Sequence, residues 1–168
     1  MTLATRPVDR LHGFTLIDTV FAAALVGVFF VTLFGVNSQC LYVVNSSREL
    51  STAGQALQGR MEQVRNCHWS QITDPNYLSN SVFNTAMNGV SNLGAVTEVA
   101  TINAYPTALN PAIQLTRNSN GTVTINSTNS AIANGDMVSV TLQVSWTAGP
   151  GARNRSVAIT TTWAENSR

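Results

Sequence analysis

From Val20 to Val36 the chain is apolar at every position except Gly27, Thr32 and Gly35. Extended back to Phe14, the run covers 23 residues. As a helix it would measure about 34 Å, against about 30 Å for a bilayer's hydrocarbon core. A soluble core helix keeps a polar stripe, whereas this run is apolar all round and predicts a membrane span. Further on, Leu50, Ala53, Leu57, Met61 and Val64 recur at spacings of three and four. That periodicity puts them on one face of an amphipathic helix. No proline interrupts the chain between Pro7 and Pro75. The two patterns therefore predict one continuous helix from Phe14 towards Asn66, about 50 residues and roughly 75 Å long. Gly54 and Gly59 weaken it by about 1 kcal/mol each relative to alanine.

The period changes after "TDPNY", residues 73–77, which reads as the helix end and a turn. Residues 78–93 are rich in Asn and Ser and predict an irregular connector with room for a short helix. Strands are expected at Ala95–Ala104, Ala112–Arg117, Gly121–Asn126, Met137–Thr147 and Ser156–Ala164. Asn120-Gly121 is a hairpin signal between two of them. Val138, Val140, Leu142, Val144 and Trp146 alternate with Ser139, Thr141, Gln143 and Ser145, and Val157, Ile159, Thr161 and Trp163 offer a matching face. That face is expected to pack on the apolar stripe of the outer half of the helix. The fold class is α+β: a long N-terminal helix, membrane-spanning in its first half, packed against a small C-terminal antiparallel sheet. The expected division is 1–13 as a leader, 14–37 as the apolar helix, 38–72 as its exposed amphipathic continuation and 73–168 as a β-rich head.

Charge sharpens the first part of this picture. Nine arginines, no lysine and eight acids leave a formal net charge of +1, so no basic field attracts nucleic acid. Charged residues make up 10% of the chain, far below the roughly 25% of ordinary globular domains. Asn, Ser and Thr supply the polarity instead, which suits strands joined by turns. Arg6 and Arg10 precede the apolar run and Arg48 follows it. The short N-terminal head is expected inside the cell and the bulk of the chain outside.

One carboxylate stands inside the apolar run. Asp18 in "GFTLID", residues 13–18, would cost roughly 2.5–3.5 kcal/mol in a bilayer. An ordinary secretory signal, cut near Val36-Asn37-Ser38 to leave Gln39 first, has a shorter apolar core and no use for that acid. A lipoprotein signal ending at Cys40 lacks the small residue expected where Gln39 stands. A plain anchor also leaves Asp18 unexplained. The alternative local role is that Asp18 N-caps the helix.

The stretch "GFTLID" resembles the prepilin signature of type IV pilins and type II secretion pseudopilins. The likeness continues through the apolar helix, into "ALQGRMEQVRNCHWSQI" and the closing "VSVTLQVSWTAGPGARNRSVAITTTWAE", and is most like that of a minor pilin. It implies cleavage between Gly13 and Phe14 by a prepilin peptidase, N-methylation of Phe14 and an assembly role for Asp18. Its implied partners are that peptidase, other pilin or pseudopilin subunits and an inner-membrane assembly platform. The chain is then a structural subunit and the peptidase's substrate, not itself an enzyme. It sits first in the bacterial inner membrane and later in a pilus or periplasmic pseudopilus. Most members carry Glu where this chain has Asp18, one C–C bond shorter at roughly 1.5 Å. The Phe14 amine, cationic below a pKa near 8, would balance the acid of a neighbouring subunit.

Other chemistry is sparse. If Cys40 and Cys67 share one helix they lie about 40 Å apart, beyond the roughly 7 Å that a disulfide spans, so free buried thiols are expected. "CHW", residues 67–69, has no second ligand cluster for zinc, and His68 and Trp69 are expected to pack at the helix end. The turn "ANGDM", residues 133–137, has one carboxylate and predicts no calcium site. Asp74, Glu98, Asp136 and Glu165 are far apart in sequence, and Glu49, Glu62 and Arg65 read as surface charges. No cofactor motif is present. A membrane-anchored ligand-binding module and a protein released by signal peptidase are the remaining alternatives.

Overall fold

The computed structural model describes residues 15–105, 112–148 and 153–165. The fold is α+β. Helix α1 runs Leu16–Arg65, 50 residues without a break. The chain divides between Tyr42 and Val43 into two units, the first holding the apolar part of α1 and the second its remainder and all the strands. In the first unit the apolar side chains are exposed all round, Leu16 at 80% and both Phe21 and Phe34 at 66%. This part of α1 is long and apolar enough to cross a membrane.

In the second unit α1 buries Ala53, Ala56, Leu57, Arg60, Met61 and Val64. The expected stripe is largely present, with two differences. Leu50 lies outside it at 46% exposure, and Arg60 lies inside it at 2%. The helix stops at Arg65, beside the Asn66 expected from its periodicity, so the stretch drawn on to residue 72 is not one continuous helix. There Cys67 N donates to Val64 O at 3.0 Å, tightening the last turn. Helix α2, Trp69–Ile72, then starts afresh, with Gln71 Oε1 accepting from His68 N at 2.9 Å.

"TDPNY" opens a helix instead of only closing one. Asp74 accepts from Asn76 N at 2.9 Å, with Pro75 as the first residue of α3, Pro75–Tyr77. Proline fits a first helical position because the N–H it lacks has no helical partner there. A π-helical turn, Leu78–Val82, continues directly, and a 3₁₀ turn covers Val90–Asn92. Leu78 and Phe83 from this connector are almost wholly buried, which makes it a wall of the core.

The strands are β1 Gly94–Ala104, β2 Ile113–Arg117, β3 Val123–Ser127, β4 Met137–Ala148 and β5 Arg153–Ala164. They form one antiparallel sheet in the order β3-β2-β1-β4-β5. The expected strands match within three residues at each end. β3 begins two residues late because Gly121, at φ +88°, is spent on the turn, where Asn118 N donates to Thr122 O at 2.9 Å. Gly94 starts β1 where a Cβ would meet Thr147 Oγ1 at 2.9 Å, so only glycine fits without a shift. The alternation in β4 turns Val138, Val140, Leu142, Val144 and Trp146 inward, none above 2% exposed. Val157, Ile159 and Trp163 share that face on β5 but are only half-buried, as befits an edge strand. The opposite face of the sheet is hydroxylated and uncharged at its centre, with Thr141 and Thr160 sharing a 2.9 Å bond across β4 and β5.

Candidate functional site

Of the three residues implicated by the prepilin-like motif, Gly13 and Phe14 lie outside the described residues. Asp18 stands in the first turn of α1. Thr15, the residue before the helix, donates to Asp18 Oδ2 from both its backbone N at 3.1 Å and its hydroxyl at 2.7 Å. The same hydroxyl accepts from Asp18 N at 3.3 Å. This is a reciprocal capping box, with Asp in the place more often held by Glu. Thr15 is the cap and Asp18 the acid three residues on, so Asp18 serves the helix start without being its N-cap. Among the described residues, Asp18 Oδ1 takes no hydrogen bond.

The remaining polar side chains of the apolar segment are also satisfied locally. Thr19 Oγ1 donates to Leu16 O at 2.7 Å and Thr32 Oγ1 to Phe29 O at 2.8 Å. Between Thr15 and Val36 every polar side chain thus returns at least one bond to its own helix. A helix surrounded by hydrocarbon requires this, since no water is there to complete the bonding.

The structure brings together a second group that the sequence reading kept apart. Arg60 and Glu98 form a buried ion pair, Nε to Oε1 at 2.8 Å and Nη2 to Oε2 at 3.3 Å. Nη1 also donates to Gln63 Oε1 at 2.7 Å and to Val82 O, and Nη2 to Thr85 O at 2.7 Å. All five guanidinium N–H groups can be accounted for in this way. The guanidinium lies 5.3 Å from the centre of the Phe83 ring. A signal for this pair exists in the pattern. Arg60 is three residues after Leu57 and four before Val64, on the buried stripe. Glu98 shares the inward parity of Ala100 and Ile102. Burial pushes the Glu98 carboxyl above its ordinary value, and Arg60, then Arg117, pull it only part of the way back.

Glu49 is only partly a solvated charge. It is half-buried and accepts from the indole nitrogen of Trp146 at 3.3 Å. Glu62 and Arg65 do lie on the surface, paired at 3.0 Å. Cys40 and Cys67 are free, but only Cys67 is buried, and burial raises its thiol pKa; Cys40 is exposed. Trp69 packs against the core near the end of α1, as expected, while His68 is exposed. Among the described residues no three of His, Cys, Asp and Glu gather into a metal-sized group. The chain matches no protein-family model, no curated protein and no solved structure.

Two measurements test the buried pair. Arg60→Ala leaves Glu98 buried without its counter-charge and should cost about 3–5 kcal/mol in chemical denaturation. The double variant Arg60→Met/Glu98→Leu should be less destabilised than Arg60→Ala, because no charge is then stranded. The raised Glu98 pKa means that the folded state holds this proton more tightly than the unfolded one. Its contribution to stability is therefore full below the ordinary Glu value of about 4.3 and is lost as pH rises through the folded value. Glu98→Gln should remove that pH-dependent component from the denaturation midpoints.

Proposed function

We propose that this chain is a structural subunit, a minor pilin or pseudopilin, of a type IV pilus or type II secretion-like filament. The observation that carries the reading is one acid at the head of an uncharged, fully exposed apolar helix whose remaining polar side chains are bonded internally. A soluble domain gains nothing by exposing Phe21, Phe29 and Phe34 to water. Hydrocarbon or neighbouring copies of the same helix would cover them. The precursor would enter the inner membrane as a single-pass protein. A prepilin peptidase would cut between Gly13 and Phe14, and the new Phe14 amine would be methylated.

In this reading the helix supplies non-directional adhesion and Asp18 supplies position. Thr15 occupies Oδ2 and Oδ1 takes no hydrogen bond among the described residues, so Oδ1 would be the atom that accepts from an adjacent subunit's N-terminal ammonium. A charge-assisted bond of this kind is roughly twice as strong as a neutral one and strengthens further away from water. The filament neighbours and the assembly platform are the partners. The β-rich unit would be the part displayed.

Coexpression with a prepilin peptidase tests the processing step. Intact-mass measurement should show loss of residues 1–13 and a single added methyl group. A mature chain beginning at Gln39, or one retaining residues 1–13, would contradict the reading. Asp18→Ala should still insert in the membrane and still be cut, yet its share of sheared filaments should fall at least tenfold beside wild type. Undiminished incorporation of that variant would remove the assembly role from Asp18.

A further inference from the structure

A cleft of about 600 Å³ opens between the helical connector and the 3₁₀ turn Ser130–Asn134. Trp69, Ser70 and Asp74 line one side and Thr128 and Asn129 the other. Its size falls within the range of small-molecule sites, roughly 300–1,000 Å³. We propose that this cleft binds a neutral saccharide, with the Trp69 indole as the stacking surface and Asp74 and Asn129 as the groups that read hydroxyls.

The chemistry of the lining selects that ligand class. The Trp69 side chain is half-buried, and its Nε1–H donates to Ala133 O at 3.4 Å, so the ring is tethered at one edge. An indole face suits the C–H face of a pyranose, apolar on its flat side and polar at its rim. Asp74 Oδ1 is spent on Asn76 N at 2.9 Å, and Asn129 Oδ1 on Ala131 N at 3.0 Å. Among the described residues, Asp74 Oδ2 and Asn129 Nδ2 have no partner. One backbone bond thus holds each side chain while its second polar atom stays available, an acceptor on one wall and a donor on the other. Their rotamers are ordered before any ligand arrives, which lowers the entropic cost of binding. The hydroxyls of Ser70 and Thr128 add groups able to donate or accept. Among the described residues no arginine lines the cleft and one carboxylate does, so phosphates, sulfates and uronic acids meet repulsion there.

Two substitutions change only the unspent atoms. Asp74→Asn and Asn129→Asp are nearly isosteric, and each keeps the oxygen that its backbone donor needs. The test uses the full chain in detergent micelles, titrated with cellobiose, maltose, lactose and diacetylchitobiose, with galacturonate as the anionic control. Insoluble chitin and cellulose in a pull-down distinguish recognition of a polymer from recognition of a free sugar. At least one neutral sugar or polymer should bind, and galacturonate should not. Asp74→Asn and Asn129→Asp should each weaken binding about fivefold or more, the scale of one lost hydrogen bond to a charged or well-placed group. Trp69→Ala should abolish binding, with unchanged circular dichroism showing that the fold persists. The assignment is overturned if no neutral probe binds, if galacturonate binds better than the neutral sugars, or if binding is untouched in both isosteric variants. None of these outcomes bears on cleavage after Gly13, so the cleft and the filament reading stand or fall separately.

Discussion

Arg60 holds the second unit together. Its guanidinium is the point at which α1, the connector after it and β1 are joined, through Gln63, Val82, Thr85 and Glu98. Apolar packing alone would let the helix slide along the sheet, since hydrophobic contact has no preferred register. A planar fork with five donors does not slide. It fixes where α1 crosses β1 and, by gripping two backbone carbonyls, keeps residues 82–85 folded over the core. The cost is a buried charge pair, whose desolvation offsets much of its attraction. Its contribution is therefore geometric first: it selects one arrangement among several of similar apolar burial.

The two units solve the problem of polar groups without water in different ways. Between Thr15 and Val36 each polar side chain bonds to a group at most a turn away. The environment there demands nothing of the rest of the protein, so this segment can be surrounded by lipid or by other helices. In the second unit local bonds of this kind are joined by others across long sequence distances, Arg60 to Glu98 and Glu49 to Trp146. Those bonds exist only once the unit has folded. The apolar helix thus forms from local sequence, while the β-rich unit depends on its tertiary structure.

That contrast explains what was legible beforehand. α1, the parity of β4 and β5 and the strand boundaries all follow from local periodicity, and the structure matches them closely. The end of α1 falls at Arg65, beside the expected Asn66, whereas the start of α3 is hard to read because Asp74-Pro75 carries two meanings. It stops one helix and caps the next. The half-buried place of Glu49 and the Arg60–Glu98 pair are harder to read for a different reason. Charge normally marks a surface position, and only the matching parity of two distant elements reveals that a charge pair has replaced an apolar contact. The Trp69 cleft was hidden in the same way, since residues 69–74 and 128–129 are brought together only by the fold.

The bonds that the structure gives Asp18 are local, and only the filament reading would add a long-range one. A glutamate at this position reaches further, but an aspartate closes a tight ring with Thr15, taking both its N–H and its hydroxyl on a single oxygen. The ring holds the carboxylate against the first turn, where the partial positive charge of the helix start also stabilises it. A side chain held there has lost most of its rotamer freedom already, so a second partner can be engaged at little further entropic cost. In the filament reading, the price of the shorter reach is that the neighbouring ammonium must come closer to the helix axis. The capping box and a pairing between subunits would then act together: the ring with Thr15 restrains the carboxylate, and the neighbouring ammonium would bond the oxygen left over.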